Sequence, residues 1–132
     1  MFKELAREKR LKGYNCAQAV VCAFADVCRI DEGMAYRMAE GFGSGIGGLK
    51  RTCGAVTGMA MVISLLNSDG ECGGSATRKK TYEYIQQAVA RFEEMNTTSE
   101  CAVLLGSGGK LRSCMGCIED CCDILVEMFH LE

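Results

Sequence analysis

"KRTCGAVTGMAMVISLL", residues 50–66, decides how this chain folds. From Cys53 onward almost every residue is apolar and no strand-like alternation is sustained. The run therefore reads as a helix from about 52 to 67, with Thr52 as its N-cap. A helix that is apolar on every side belongs in the middle of a bundle. Gly54 and Gly58 lie four apart, hence on one face, and they cost helix propensity. They make sense where another backbone must come close, and they are also the candidate cofactor-binding residues. A thiol, Cys53, stands at the head of the run. Just ahead of it, "GFGSGIGG" (residues 41–48) has five glycines in eight positions. Those glycines are expected to let backbone pack closely or approach a bound group, or to offer N–H groups as a nest for sulfur or an anion.

Working outward, the chain holds no proline and is rich in Ala, Met, Leu, Glu and Lys, which favours helices. A first helix over about 2–11 stops at Gly13. Asn15 and Gln18 form a capping box that opens a second helix. Its apolar stripe is Cys16, Ala19, Val20, Ala23, Phe24 and Val27, with Cys22 lying off it. A third helix spans about 32–41, and "NSDGECGGS" is a loop. A fifth helix, about 76–95, turns Tyr82, Ile85, Val89 and Phe92 inward. Thr97 and Glu100 have capping-box spacing before a short helix that stops at Gly106. The last helix, about 116–130, buries Ile118, Cys122, Leu125 and Phe129. The expected fold is all-α: a compact bundle of about five to seven helices around the central one at about 52–67, in a single domain over 1–132.

A chain of 132 residues can bury a core without staples, yet it holds 10 cysteines. The N-terminal stretch is charged and lacks the apolar core of a signal peptide. The longest apolar run is too short to span a bilayer. A cytoplasmic protein is expected, where thiols stay reduced. The cysteines then point to metal, redox chemistry or plain burial rather than to a disulfide scaffold. A net charge of −2 without a basic block argues against nucleic acid.

Four thiols share one local setting. Cys16 and Cys53 sit in the first turns of their helices, Cys101 lies close to its helix start, and Cys114 precedes the last helix. Helix starts offer free N–H groups and a positive dipole end, which favour a thiolate as nucleophile or ligand. Lys110 and Arg112 would favour the thiolate at Cys114 further. A lone cysteine in an apolar stripe is ordinarily inert filler; four at four helix starts form a pattern. Cys114-x-x-Cys117 has the spacing of a dithiol pair or of two metal ligands. Cys117 and Cys121 face the same way, whereas Cys122 lies on the core stripe. A second C-x-x-C is missing, so a four-cysteine site would have to recruit distant cysteines. Cys22, Cys28 and Cys72 read as surface or filler. His130 is the sole histidine, which leaves little support for a Cys–His pair. "GSGGKL" at 106–111 lacks the spacing of a phosphate loop.

The stretches "GYNCAQAVVCAF", "EGFGSGIGGLKRTCGAVTG", "CAVLLG" and the "C…IEDCCDIL" tail resemble, in order and over most of the chain, the C_GCAxxG_C_C putative redox-active protein family. Its four defining cysteines fall on Cys16, Cys53, Cys101 and Cys114, with Cys117 three residues from the last. Two departures stand out. Cys121 and Cys122 occupy positions where the family commonly has small residues, which supports reading both as filler. The family name writes GCA where this chain has Cys53-Gly54-Ala55. The resemblance implies a redox role and a bound metal or iron–sulfur centre, but no substrate.

Three functions compete. In the first, Cys16, Cys53, Cys101 and Cys114 converge at one end of the bundle. There they ligate an iron–sulfur cluster or another thiolate-bound metal for electron transfer. In the second, a thiol–disulfide protein uses Cys53 or Cys16 as the attacking thiolate and a neighbouring cysteine to resolve it. In the third, a non-catalytic helical module acts through partner contact and its cysteines are packing. A redox partner protein and a helix-face homodimer are the expected partners, with no nucleic acid and no membrane.

Overall fold

In a computed structural model, which describes residues 1–105 and 113–132, the capping box at Asn15 forms in both directions. Gln18 N–H donates to Asn15 Oδ1, and Asn15 N–H donates to Gln18 Oε1, each at 2.9 Å. This box starts α2 (Cys16–Ala23) after α1 (Phe2–Leu11), the two being separated by a turn at Gly13 with φ +108°. Asp31 caps α3 (Glu32–Ala39), which tightens into a 3-10 turn over Glu40–Phe42. Then follow α4 (Gly54–Asn67), α5 (Arg78–Asn96), α6 (Cys101–Leu105) and α7 (Cys114–Phe129). Among the described residues there is no strand, only an isolated bridge between Thr52 and Glu100. The fold is all-α, as expected. Among the same residues, no helix is long and apolar enough to cross a membrane.

α4 is a buried helix, with Gly54, Ala55, Val56, Gly58, Met59, Val62 and Ile63 all inside. It shares the centre with α2, where every residue from Ala17 to Ala25 is buried, Cys22 included. Small residues on all sides let α1, α3, α4 and α7 pack on α2 at once. The one polar side chain inside it, Gln18, is satisfied: beyond the capping box, its amide donates to Tyr36 O at 3.1 Å. Cys22, off the expected stripe, is buried by the same crowding and donates to Glu32 O at 3.8 Å. α2 ends at Ala23, so Val27 falls outside the helix and is exposed.

Where α2 and α4 cross, the glycines decide the spacing. A Cβ on Gly58 would stand 3.0 Å from Ala17 O and 3.2 Å from Val20 Cβ. One on Gly54 would stand 2.9 Å from Phe42 O and 3.2 Å from Cys16 Cβ. The backbones are therefore closer than any larger residue permits. This crossing brings the start of α2 beside the start of α4.

α5 docks with Ile85, Val89 and Phe92 against the core as expected, but with a rotation that leaves Tyr82 out. Thr81, Ala88, Phe92 and Asn96 face in, while Tyr82 is 57% exposed. Polar pins at both ends set that rotation. Asn67 Nδ2 donates to Thr81 Oγ1 at 2.9 Å, and buried Asn96 Nδ2 donates to the buried carboxylate of Asp120 at 3.1 Å. Tyr84 takes the inward aromatic place, meeting Phe129 edge-on at 5.3 Å. Phe2 stacks on Phe24 at 4.5 Å and seats α1.

Two substitutions test these contacts. Gly58→Val is expected to lower the unfolding free energy by about 2 kcal/mol or more, read from urea midpoints, because the α2 backbone cannot give way. Asn96→Leu removes a donor from a buried carboxylate and is expected to cost about 1–3 kcal/mol at neutral pH.

Candidate thiol site

The glycine-rich approach to Cys53 is a tight left-handed coil. Ser44, Gly45, Ile46, Gly47 and Gly48 have φ of +50°, +71°, +67°, +57° and +80° in succession, and Lys50 follows at +61°. Glycine makes such a run affordable, and the β-branched Ile46 is a strained member of it. A Cβ on Gly45 would stand 2.5 Å from Arg51 N, so the coil closes directly on the strand of chain that carries Cys53. The coil's N–H groups do not form an open nest. Those of Gly47, Gly48, Lys50 and Arg51 donate to the carbonyls of Gly41, Gly43, Ser44 and Gly45 at 2.8–3.2 Å.

Cys53 itself is the N-cap of α4, one residue later than the expected Thr52, which is exposed and bridges to Glu100. The segment around Cys53 is zipped to the segment before α6. Cys53 N–H donates to Ser99 O at 2.7 Å, Cys101 N–H to Arg51 O at 2.6 Å, and Ala102 N–H to Lys50 O at 3.1 Å. Thr97 makes this possible by reversing the chain at φ +76° as the C-cap of α5. It does not cap α6, so the expected Thr97–Glu100 capping box is absent; Glu100 N–H instead donates to Thr98 Oγ1 at 3.1 Å. At the third helix, Ser113 Oγ accepts from Gly116 N–H at 2.9 Å and caps α7. Cys114 is thus the first residue of α7 rather than a residue ahead of it. Gly106, Lys110, Arg112 and the 106–111 loop lie outside the described residues.

Cys16, Cys53, Cys101 and Cys114 line one cavity of about 180 Å³, and Cys117 lines it too. Cys53, Cys101 and Cys117 are buried, whereas Cys16 and Cys114 are half-buried. Gly54 borders the cavity, while Gly58 sits deeper, in the α2–α4 crossing. All ten cysteines are free thiols. Cys121 and Cys122 are in the core, Cys28 is half-buried against it, and Cys72 is exposed in its loop. His130 caps α7 at the surface in a left-handed conformation.

The sulfurs fall into two contacts with different electrostatics. The Cys117 thiol hydrogen-bonds to the Cys53 sulfur, which also faces the N–H groups of Val56 and Ala55. Together these outweigh the effect of burial and bring Cys53 down to about 7. The same contact pushes Cys117 well up, with burial adding to it. Cys16 hydrogen-bonds to Cys114; burial, joined by the Cys114 and Cys53 sulfurs, pushes Cys16 up to about 12 against the pull of Arg10. Burial also raises Cys101, with Cys53 beside it. The cavity therefore holds one favoured thiolate, Cys53, beside Cys16, Cys101 and Cys117, whose protons are held more tightly than in a free thiol.

Sequence reading did not find Cys117 as the partner of Cys53. The signal was present in the three-residue step from Cys114, which puts both on neighbouring positions of α7 facing the same side. Arg10 and Lys50 also line the cavity and were missed: Lys50 stands only three residues before Cys53 and Arg10 six before Cys16, but spacing alone does not say that either side chain borders the cavity. Among the described residues, no three His, Cys, Asp or Glu side chains are grouped so as to hold a metal ion.

The C_GCAxxG_C_C family model, described as "Putative redox-active protein", matches residues 14–128. No curated protein and no solved structure matches the chain.

Alkylation of Cys53 by iodoacetamide, followed by peptide mass spectrometry, is expected to be half-maximal near pH 7, where Cys53 titrates. In Cys117→Ala the midpoint should move up toward the ordinary thiol value of 9.0. Because the folded value lies below the unfolded one, the thiolate's contribution to stability is full above pH 9.0 and is lost as pH falls through about 7. The stability gap between the native chain and Cys53→Ala should accordingly widen from pH 6 to pH 9.

Proposed function

The chain belongs to the C_GCAxxG_C_C family, and on that premise we propose that it is a thiol–disulfide redox protein in which Cys53 attacks and Cys117 resolves. The observation that carries this reading is that buried Cys53, the N-cap of α4, and buried Cys117 line one cavity, where hydrogen bonding between them favours the thiolate at Cys53 and the thiol at Cys117. The Cys53 thiolate attacks one sulfur of a substrate disulfide. The S–S bond breaks, its other sulfur leaves with the electron pair and takes a proton from water, and a mixed disulfide forms on Cys53. The negative charge that kept the Cys117 proton in place is then gone. Cys117 releases its proton to solvent and attacks Cys53 Sγ, and the second half of the substrate departs as a thiolate. Two electrons pass from the protein dithiol to the substrate, which becomes two thiols, while the protein is left with a Cys53–Cys117 disulfide. An external dithiol, carried by a redox partner protein, reduces it again and becomes a disulfide itself. A reducing cytoplasm suits this cycle.

A second reading is supported by the five thiols on one cavity: their soft sulfurs suit an iron–sulfur cluster or another thiophilic metal. Their placement does not fit in this conformation, since among the described residues no three donors are grouped to ligate, so no step here passes through a metal.

Titration of the reduced protein with a small disulfide tests both readings. The expected result is loss of two thiols, with Cys53 and Cys117 joined in the peptide map. Cys117→Ser should stall as a mixed disulfide on Cys53, and Cys53→Ser should not react at this site. Unchanged thiol counts would remove the proposal. Stoichiometric metal with a visible charge-transfer spectrum after anaerobic purification, lost in Cys53→Ser, would favour the metal. If Cys16→Ser, Cys53→Ser and Cys101→Ser left metal content and redox behaviour untouched, the cysteines would be packing.

A further inference from the structure

The cavity is asymmetric in charge. Arg10 and Lys50 line it, and no Asp or Glu among the described residues does. This contrasts with the rest of α1, where Lys3, Arg7 and Lys9 are each paired with a carboxylate, on Asp123, Glu119 and Glu32. Arg10 has no ion pair among the described residues; its guanidinium donates to Tyr14 O at 3.4 Å at the turn that leads to Cys16. Lys50 likewise has no ion pair among them, and it is held in place by the left-handed coil and by the hydrogen bond from Ala102 to its carbonyl. The starts of α2, α4 and α7 border the same cavity through Cys16, Gly54 and Cys114, adding positive dipole ends. Since the chain as a whole carries a net charge of −2, this cationic lining is local. At about 180 Å³ the space is smaller than the roughly 300–1,000 Å³ of sites for drug-sized ligands.

We propose that the substrate of this site is a small anionic disulfide, drawn in by Arg10 and Lys50 and presented to Cys53. The proposal rests on the thiol–disulfide reading above and adds the charge class and size of the substrate. It runs against the bias of the nucleophile, because a bare thiolate repels anions and attracts cations. The two cations reverse that bias at the cavity mouth, and the anionic thiol released by the exchange carries its charge out to water. For a disulfide with a carboxylate on each arm, Cys53 takes one half in a mixed disulfide and the other leaves as thiolate. Cys117 then releases the first half, so one disulfide and the protein dithiol give two carboxylate thiols and the protein disulfide.

Three disulfides with short arms test this on the reduced full chain: 3,3′-dithiodipropionate (anionic), 2-hydroxyethyl disulfide (neutral) and cystamine (cationic). The second-order rate of Cys53 oxidation is divided by the rate of a free small thiolate with the same reagent, which removes intrinsic reactivity. The anion is expected to be favoured over the cation by roughly tenfold at low salt, with the advantage falling as salt is raised. Arg10→Gln with Lys50→Gln should collapse the normalised ratio toward one while reaction with the neutral disulfide continues. A native chain with no charge preference after normalisation would overturn the anion proposal and leave the thiol–disulfide reading standing. An anion preference unmoved both by salt and by the two substitutions would overturn the assignment to Arg10 and Lys50. Failure of all three reagents to oxidise Cys53 would overturn both.

Discussion

The close crossing of α2 and α4 is the contact on which the rest of the molecule depends. Gly58 lies against the Ala17 carbonyl and Gly54 against Cys16 and Phe42, so the two helices approach backbone to backbone. Close approach at the first turns, rather than halfway along, makes two helix starts neighbours. It also buries α2 on every side, leaving room there only for alanine, valine, cysteine and one hydrogen-bonded glutamine. α7 then packs against both helices and brings a third start to the same end. The site follows from the packing: sulfur placed at the first residues of these helices can go nowhere but into a shared cavity.

Within that cavity, hydrogen-bond direction sets Cys53 apart from Cys117, while burial is what raises Cys16 and Cys101. Burial alone raises a thiol, as it does at Cys28 and Cys122. Cys53 departs from this because three donors converge on it: one thiol and two backbone N–H groups. Cys117 donates to it and keeps its proton, while Cys16 keeps its own chiefly through burial. A cluster of chemically identical side chains thereby divides into one favoured thiolate and thiols that hold their protons more tightly, with no histidine or carboxylate of the described residues involved in the division.

Much of this was legible in sequence wherever the signal is local. The Asn15–Gln18 box, the all-apolar run after Cys53, and the glycines four apart each name a conformation through their nearest neighbours, and the helices formed there. The misreadings have a common cause in longer-range contacts. Tyr82 obeys helical periodicity but faces water, because Asn67 and Asp120 fix the rotation of α5 from outside it. Thr97 has the spacing of a cap, yet the chain needs it to turn back toward residues 50–53. Thr52 has the chemistry of an N-cap but is occupied in the bridge to Glu100. The cysteines at helix starts could be found from spacing. The pairing of Cys53 with Cys117, and the approach of Arg10 from α1, depend on tertiary contacts that no local pattern encodes, whereas Lys50 was within local reach of Cys53.

The backbone zipper between residues 50–53 and 99–102 bears on how the molecule matures. Its two halves are separated by the whole of α4 and α5, so it closes only after a long loop has been drawn together, a step that is slow relative to helix formation. Residues lining the cavity run from Arg10 to Cys117, so nearly the entire chain must be in place before the cavity exists. Until then, 10 reduced cysteines are indistinguishable from one another, and any oxidant would join them at random. The zipper is thus among the last contacts to close, and a nascent chain exposed early to oxidant is at risk of being locked out of its own native state.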